Sequence, residues 1–412
     1  MKFVKVRQKL VSSPIADVTA EVRRQLDALG PPPQGEVAIT AGSRGINNLV
    51  EITKAAGDWL RDHGATPFIV PAMGSHNGAT AEGQREMVES LGITEAVTGM
   101  PIRSSMECVK VGAVPIWKNG PTGDVWMDRH CFESAGVLVL NRVKLHTCFS
   151  GPVQSGLTKM MVVGMGKIQS AQTFHSTPTP QMKDMLLEMG KLLVDSGKVW
   201  AGLAILEDGY DRTAELHAIA AADILQREPQ LLSKHREYFP SLPLDAIDVL
   251  VVDKIGKTYS GTGMDPNVIG RRGTSVEDVE RPLVKIIACL ELVAASKGNA
   301  IGVGLADFIT RRLRDAIDEY KTFVNVYTTG DMQRGKIPAT LADDEEVFEK
   351  MQARYGESRW VVVPNTLHLD QFWVSEDLAD EVAAHPLCEV TGAPVELAFE
   401  GGRHNLPFEP AE

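Results

Sequence analysis

The feature that most constrains this chain is a repeated punctuation: a short apolar run, a glycine-bearing loop, then a helical pattern. It is clearest at 135–140, where AGVLVL empties into the glycine-rich stretch Asn141–His175. A continuous apolar run of that length reads as a strand buried on both faces. Strands of this kind, joined through helices, form parallel βαβ units, and their loops gather at one edge of the sheet. EVAITA at 36–41 repeats the pattern, ending in Gly-Ser-Arg-Gly before NNLVEITKAAGDWLRDHG. There Leu49, Ile52, Ala55, Ala56, Trp59 and Leu60 recur at helical spacing, and Gly64 supplies a stop. TPFIVPAMG is the next expected strand.

Further along, MKDMLLEMGKLLVDSG is amphipathic and helical, AGLAIL at 201–206 is a strand, and 214–238 is expected to be mostly helical. FPSLPLDA at 239–246 has the prolines of an interdomain linker. IDVLVVD then opens a second α/β unit. Strands are expected at 299–307 and 359–365, with ERPLVKIIACLELVAA and ITRRLRDAIDEYKTF helical or mixed. A chain of 412 residues exceeds one ordinary core. The expected fold class is α/β: two α/β domains with mostly parallel sheets flanked by helices, the active site lying in the interdomain cleft. The expected boundaries are 1–243 and 244–412, with a tail from about residue 390 returning to the first domain.

Composition excludes several classes. With 43% apolar and 23% charged residues the chain is of the soluble globular kind. A net charge of −12 argues against nucleic acid or an anionic membrane as partner. The opening Met1-Lys2-Phe3-Val4-Lys5-Val6 reads as a strand rather than a signal peptide, and no apolar run is long enough to span a bilayer. Five scattered cysteines with no CxxC pair fit reduced thiols and a cytoplasmic location.

The chemistry concentrates in the Asn141–His175 segment. His146, Lys159 and His175 bring an acid/base group, a possible metal ligand and a nucleophilic amine into one loop region. Lys167, eight residues on, rivals Lys159. No HxxxH, HExxH or CxxC pattern supports a metal cage built from protein alone. Ser43-Arg44-Gly45, after a strand and before a helix, is a phosphate seat; Arg44 is equally placed to fork onto a substrate carboxylate. In the second domain, 253–272 is a polar glycine-rich loop after a buried strand. Its candidate substrate contacts are Lys257, Tyr259 and Arg271, and Arg272 stands beside Arg271 for a second carboxylate. The glycines around 302–308 are assigned to packing.

These positions resemble the nickel-dependent lactate racemases and their relatives. His175 follows Lys159 by sixteen residues, the family's spacing, and His146 precedes it by thirteen. His76, in PAMGSHNGATAEGQREMVESLG, is similar to a second family motif, and Arg44 follows the strand at 36–41. The family's Asp-x-x-Arg loop carries Ala41 here at the aspartate position. The resemblance covers roughly residues 35–250 well. It implies racemisation or epimerisation of a small 2-hydroxy acid by hydride transfer, with His76 and His146 as the two acid/base groups. It also implies a nickel-pincer nucleotide, a pyridinium mononucleotide with two thio-acid arms. Lys159 would tether it, His175 would complete the nickel coordination, and Ser43, Arg44 and Gly45 would hold its phosphate. Cofactor-maturation proteins would be partners. The 253–272 loop does not reproduce the Tyr-Gln-Lys element of the lactate enzymes, which points to a substrate other than lactate. Two other readings stand beside this one: an NAD-linked dehydrogenase, short of a clean GxGxxG, and a catalytically silent cofactor-binding homologue.

Overall fold

The computed structural model describes residues 1–117, 120–273 and 279–409. The chain forms two compact units, one of Val11–Phe239 and one of Met1–Leu10 with Pro240–Glu412. The first strand, β1 (Lys2–Gln8), thus belongs to the unit built from the C-terminal half.

In the Val11–Phe239 unit, β2 (Glu36–Ala41), β3 (Thr66–Pro71), β6 (Gly136–Arg142), β7 (Val199–Glu207) and β8 (Thr213–Ala220) form one sheet in the order β3-β2-β6-β7-β8. The first four are parallel, and β8 pairs antiparallel to β7. Near-continuous burial along β2, β6 and β7 is what a parallel sheet covered on both faces requires. The crossover from β2 to β3 is the helix Leu49–Asp62, which buries Leu49, Ile52, Ala55, Ala56, Trp59 and Leu60. It ends at His63, and Gly64 turns the chain at φ +84, a conformation in which a Cβ is strained. Between β3 and β6 the chain inserts the helix Ala81–Ser90 and an antiparallel hairpin, β4 (Cys108–Pro115) and β5 (Thr122–Asp128).

Residues 214–238 divide differently from the sequence expectation. Helix occupies Ile224–Tyr238, and Thr213–Ala220 is the edge strand β8. The tight turn at Asp208–Arg212, with Asp208 accepting from the backbone of Tyr210 and Arg212, folds the chain back along β7. Turn chemistry outweighed the helical composition.

The other unit carries a sheet of β9 (Ala246–Ile255), β10 (Leu283–Leu292), β11 (Phe308–Thr310), β12 (Ala339–Leu341), β13 (Trp360–Val363), β14 (Gln371–Ser375), β1 and β15 (Cys388–Glu396). Its order is β12-β11-β10-β9-β13-β14-β1-β15. The strands β9 to β13 run parallel, while β14, β1 and β15 pair antiparallel. The tail past residue 388 therefore returns to the first strand, and both lie in this unit. Two expectations change here. Leu283–Leu292 is a strand, and its apolar run Ile287–Leu290 is a buried parallel neighbour of β9. Residues 299–307 are turns, with the strand delayed to Phe308. Gly302 sits at φ +94, where a Cβ would collide with the Thr262 carbonyl, and Gly263 would collide in the same way with Ile301. Two loop backbones touch there, which only glycine allows. No helix among the described residues is long and apolar enough to cross a membrane.

Candidate functional site

Three loops leave the carboxyl edge of the first sheet beside one another, because β2 lies between β3 and β6. From β2 the chain runs on to β3 on one side, and β6 enters on the other. That reversal is a topological switch point, where parallel sheets open a crevice. The β2 loop carries Ser43, Arg44 and Gly45; the β3 loop carries His76; the β6 loop carries His146 and leads to Lys159 and His175.

Four of the sequence-expected residues of this unit pair there, Ser43 with His76 and Lys159 with His146. Ser43 Oγ and His76 Nδ1 lie 2.5 Å apart. Lys159 Nζ and His146 Nε2 lie 2.9 Å apart. His146 is held at its backbone, whose N–H donates to Gln154 Oε1 at 2.6 Å, and its ring packs at 4.4 Å from Phe149. Phe149 meets Phe174 edge-on, and Phe174 meets His175 in the same manner. An aromatic row therefore links the two imidazoles of this segment.

Burial and neighbouring charge tune these groups. Lys159 is half-buried; desolvation of its ammonium brings its pKa down to about 8, with Arg44 acting in the same sense and Cys148 against it. Part of His175 is open to solvent, yet the protein packed around it lowers its pKa, helped by Lys159 and His76. These neighbours favour the uncharged imidazole of His175 over the imidazolium. Arg44 is exposed and makes no hydrogen bond or ion pair among the described residues. Ala41 is 1% exposed at the end of β2 and belongs to the apolar core of the unit.

Lys159 is presented by an unusual local build. Leu157–Lys159 is one α-helical turn, and Met160–Gly164 continues it as a π-helical turn. Such insertions recur at functional positions because they re-aim side chains. The turn is clamped from both sides. Asn141 Nδ2 donates to the Gly156 carbonyl at 2.8 Å. Glu228, from the helix Ile224–Tyr238, accepts from Thr158 N–H at 2.8 Å and from Thr158 Oγ–H at 2.6 Å. A Cβ on Gly156 would land against Glu228, 2.8 Å from its Cδ. Burial pushes the Glu228 carboxyl up to about 7, against the two Thr158 hydrogen bonds. Gly74, at φ +63, brings the β3 loop against Val163 of the π-helical turn.

Lys167 has a different task. It is fully buried, and its ammonium is spent on the Pro71 carbonyl, on Gln84 Oε1 at 3.1 Å and on the buried Asp128 carboxylate at 3.2 Å. Of the two lysines, only Lys159 faces the imidazoles.

In the other unit, Lys257 Nζ donates to Asn325 Oδ1 at 2.7 Å. Tyr259 meets His368 edge-on at 6.0 Å, and burial, with Asp253 and Glu291, raises its pKa. Arg271 is committed to the fold: its guanidinium binds Asp307 at 2.9 Å and the carbonyls of Leu305 and Lys285. Asp307 also accepts from the backbone of Ile287, so Arg271 ties the β10 and β11 region together. Sequence reading missed Gln154, Glu228 and the Phe149–Phe174 row. Glu228 lies seventy residues from Thr158, and nothing local to a polar helix marks it.

No protein-family model and no curated protein matches the sequence. The fold is similar to that of the lactate racemase apoprotein from Thermoanaerobacterium thermosaccharolyticum. The TM-score is 0.52 at 13% identity, covering 88% of this chain and 94% of that one. What the likeness establishes is the α/β architecture.

Proposed function

We propose that this chain is a racemase or epimerase of a 2-hydroxy acid, working with a nickel-pincer nucleotide. The observation that carries the reading is the convergence of His76, His146, Lys159 and Arg44 on neighbouring loops at one sheet edge. The donor set fits such a group. No cluster of three or more His, Cys, Asp or Glu among the described residues could hold a metal. A single imidazole, His175, suits a metal whose other ligands arrive with an organic group. Lys159 is an amine suited to covalent attachment, and Ser43, Arg44 and Gly45 suit a phosphate.

When bound, the nickel-pincer nucleotide supplies an acceptor for the C2 hydride, so that no dianion need form by proton loss from C2. The remaining work falls to side chains. A 2-hydroxy acid must lose its hydroxyl proton on one face and regain one on the other. His76 and His146 come from loops on opposite sides of the β2 loop, and neutral imidazole titrates near working pH. Ser43 holds the Nδ1 side of His76 and so orients that ring. Arg44 gives the substrate carboxylate a cationic fork. Lys257 and Tyr259 remain candidates for contacts that select the substrate. Maturation proteins that make and insert the nucleotide would be the protein partners.

The test is intact mass and metal content after co-production with a pincer-cofactor pathway. A covalent adduct on the wild type, absent from Lys159→Ala, with about one nickel per chain is expected. No adduct and no nickel sinks the reading, and NAD binding in that case would move the assignment to a dehydrogenase. On a panel of 2-hydroxy acids, loaded His76→Ala and His146→Ala should each lose about 10²–10⁴-fold in interconversion.

A further inference from the structure

His146 and Lys159 constrain one another's protonation. The backbone N–H of Cys148 donates to His146 Nδ1 at 3.1 Å, so that nitrogen presents its lone pair. A neutral imidazole carries one N–H and one lone pair. The proton therefore sits on Nε2, the nitrogen 2.9 Å from Lys159 Nζ. An ammonium has three N–H groups and no lone pair, so it would set N–H against N–H. A free amine has the lone pair needed to accept. Imidazolium fails as well, because it would oppose the Cys148 N–H. These two hydrogen bonds are both made only when both groups are uncharged. The surroundings act in the same direction: burial and the Arg44 cation disfavour a charged Lys159, against Cys148.

We propose that His146 holds Lys159 as an uncharged amine in the unliganded protein, making Lys159 a selective acceptor of acyl or thioacyl groups from activated esters or thioesters. The inference deepens the reading of Lys159 as a cofactor tether, but its chemistry needs only an activated acyl donor. The Nζ lone pair leaves the His146 N–H and attacks the acyl carbon. The C–N bond forms as the bond to the alkoxide or thiolate breaks with its electron pair. The surplus proton on nitrogen passes through water to the departing group. The product amide nitrogen is no longer basic and cannot accept from His146. Acylation therefore releases the imidazole, and one histidine serves first to ready the lysine and afterwards as an acid/base group. Lys167 cannot compete, since its ammonium is locked against Asp128.

The test treats the full unliganded chain at pH 7.5 with limiting N-hydroxysuccinimidyl acetate and maps acetyl-lysine by peptide mass. Lys159, though half-buried, should react about tenfold or more faster than the exposed lysines. In His146→Asp an acceptor-only carboxylate stabilises the ammonium, and Lys159 should fall to the surface rate or below. Long-range ¹H–¹⁵N correlation of the imidazoles, with the His146 signal assigned by its loss in His146→Asn, should show the Nε2–H tautomer. An Nδ1–H tautomer, or a wild-type Lys159 no faster than surface lysines, overturns the proposal. A fast Lys159 that takes no pincer adduct and no nickel during maturation would leave this inference standing and remove only the cofactor reading.

Discussion

Two lysines eight residues apart carry opposite physics. Lys167 is fully buried and ion-paired with the buried Asp128 at 3.2 Å. Lys159 is a half-buried lysine whose charge is disfavoured by burial and by Arg44. Replacing Lys167 with Met leaves Asp128 buried without its cation and should cost about 3–5 kcal/mol. Lys159→Met should change stability by less than about 1 kcal/mol, because it removes a group that gains little from being there. Chemical denaturation of both variants checks the contrast, and equal losses would refute it. In sequence the two lysines cannot be told apart by local composition. What separates them is Asp128 and Gln84, far along the chain from Lys167, and His146, thirteen residues before Lys159.

At the scale of elements, the turn that presents Lys159 is set by three segments: the end of β6, the Gly156–Gly164 turn and the helix Ile224–Tyr238. Gly156→Ala should force Glu228 off Thr158 and cost about 1–3 kcal/mol, read as a lower denaturation midpoint with the fold retained. The carboxyl of Glu228 gives this clamp a pH signature. Its folded pKa, about 7, is above the ordinary value of 4.5. The folded state therefore binds the proton more tightly, and stability falls as pH rises from about 4.5 to about 7. Glu228→Gln keeps an acceptor for Thr158 and cannot ionise. Its stability should fall less over that window, by a few kcal/mol as an order of magnitude. Parallel slopes in thermal melts of the two proteins would show that Glu228 is not the source.

For the whole molecule, the chain order and the spatial order part company at the start. β1 lies between β14 and β15 and buries Phe3, Val4 and Val6. Phe3 meets Phe348 and Trp360 edge-on within the core of the Pro240–Glu412 unit. Removing residues 1–10 should abolish the cooperative unfolding of that unit. Fluorescence of Trp360 and Trp373 in the truncated chain checks it; an unchanged transition would mean that β14 and β15 close the sheet without β1. Val11–Phe239 contains all its own strands, and its secondary structure should survive the truncation.

Read alone, the sequence specifies the α/β class, the buried strands β2, β3, β6, β7 and β9, and the helix Leu49–Asp62 with its glycine stop. It could do so because apolar periodicity and glycine punctuation are local signals, and because parallel strands deliver their loops to one edge. The folded chain alone establishes that Thr213–Ala220 is a strand, that Arg271 is bound to Asp307, that Lys167 is taken up by Asp128, and that Glu228 supports the turn before Lys159. Each of these depends on a partner distant in the chain, a β-ladder, an ion pair or a buried hydrogen bond, whose energy is realised only once the backbone has brought both sides together.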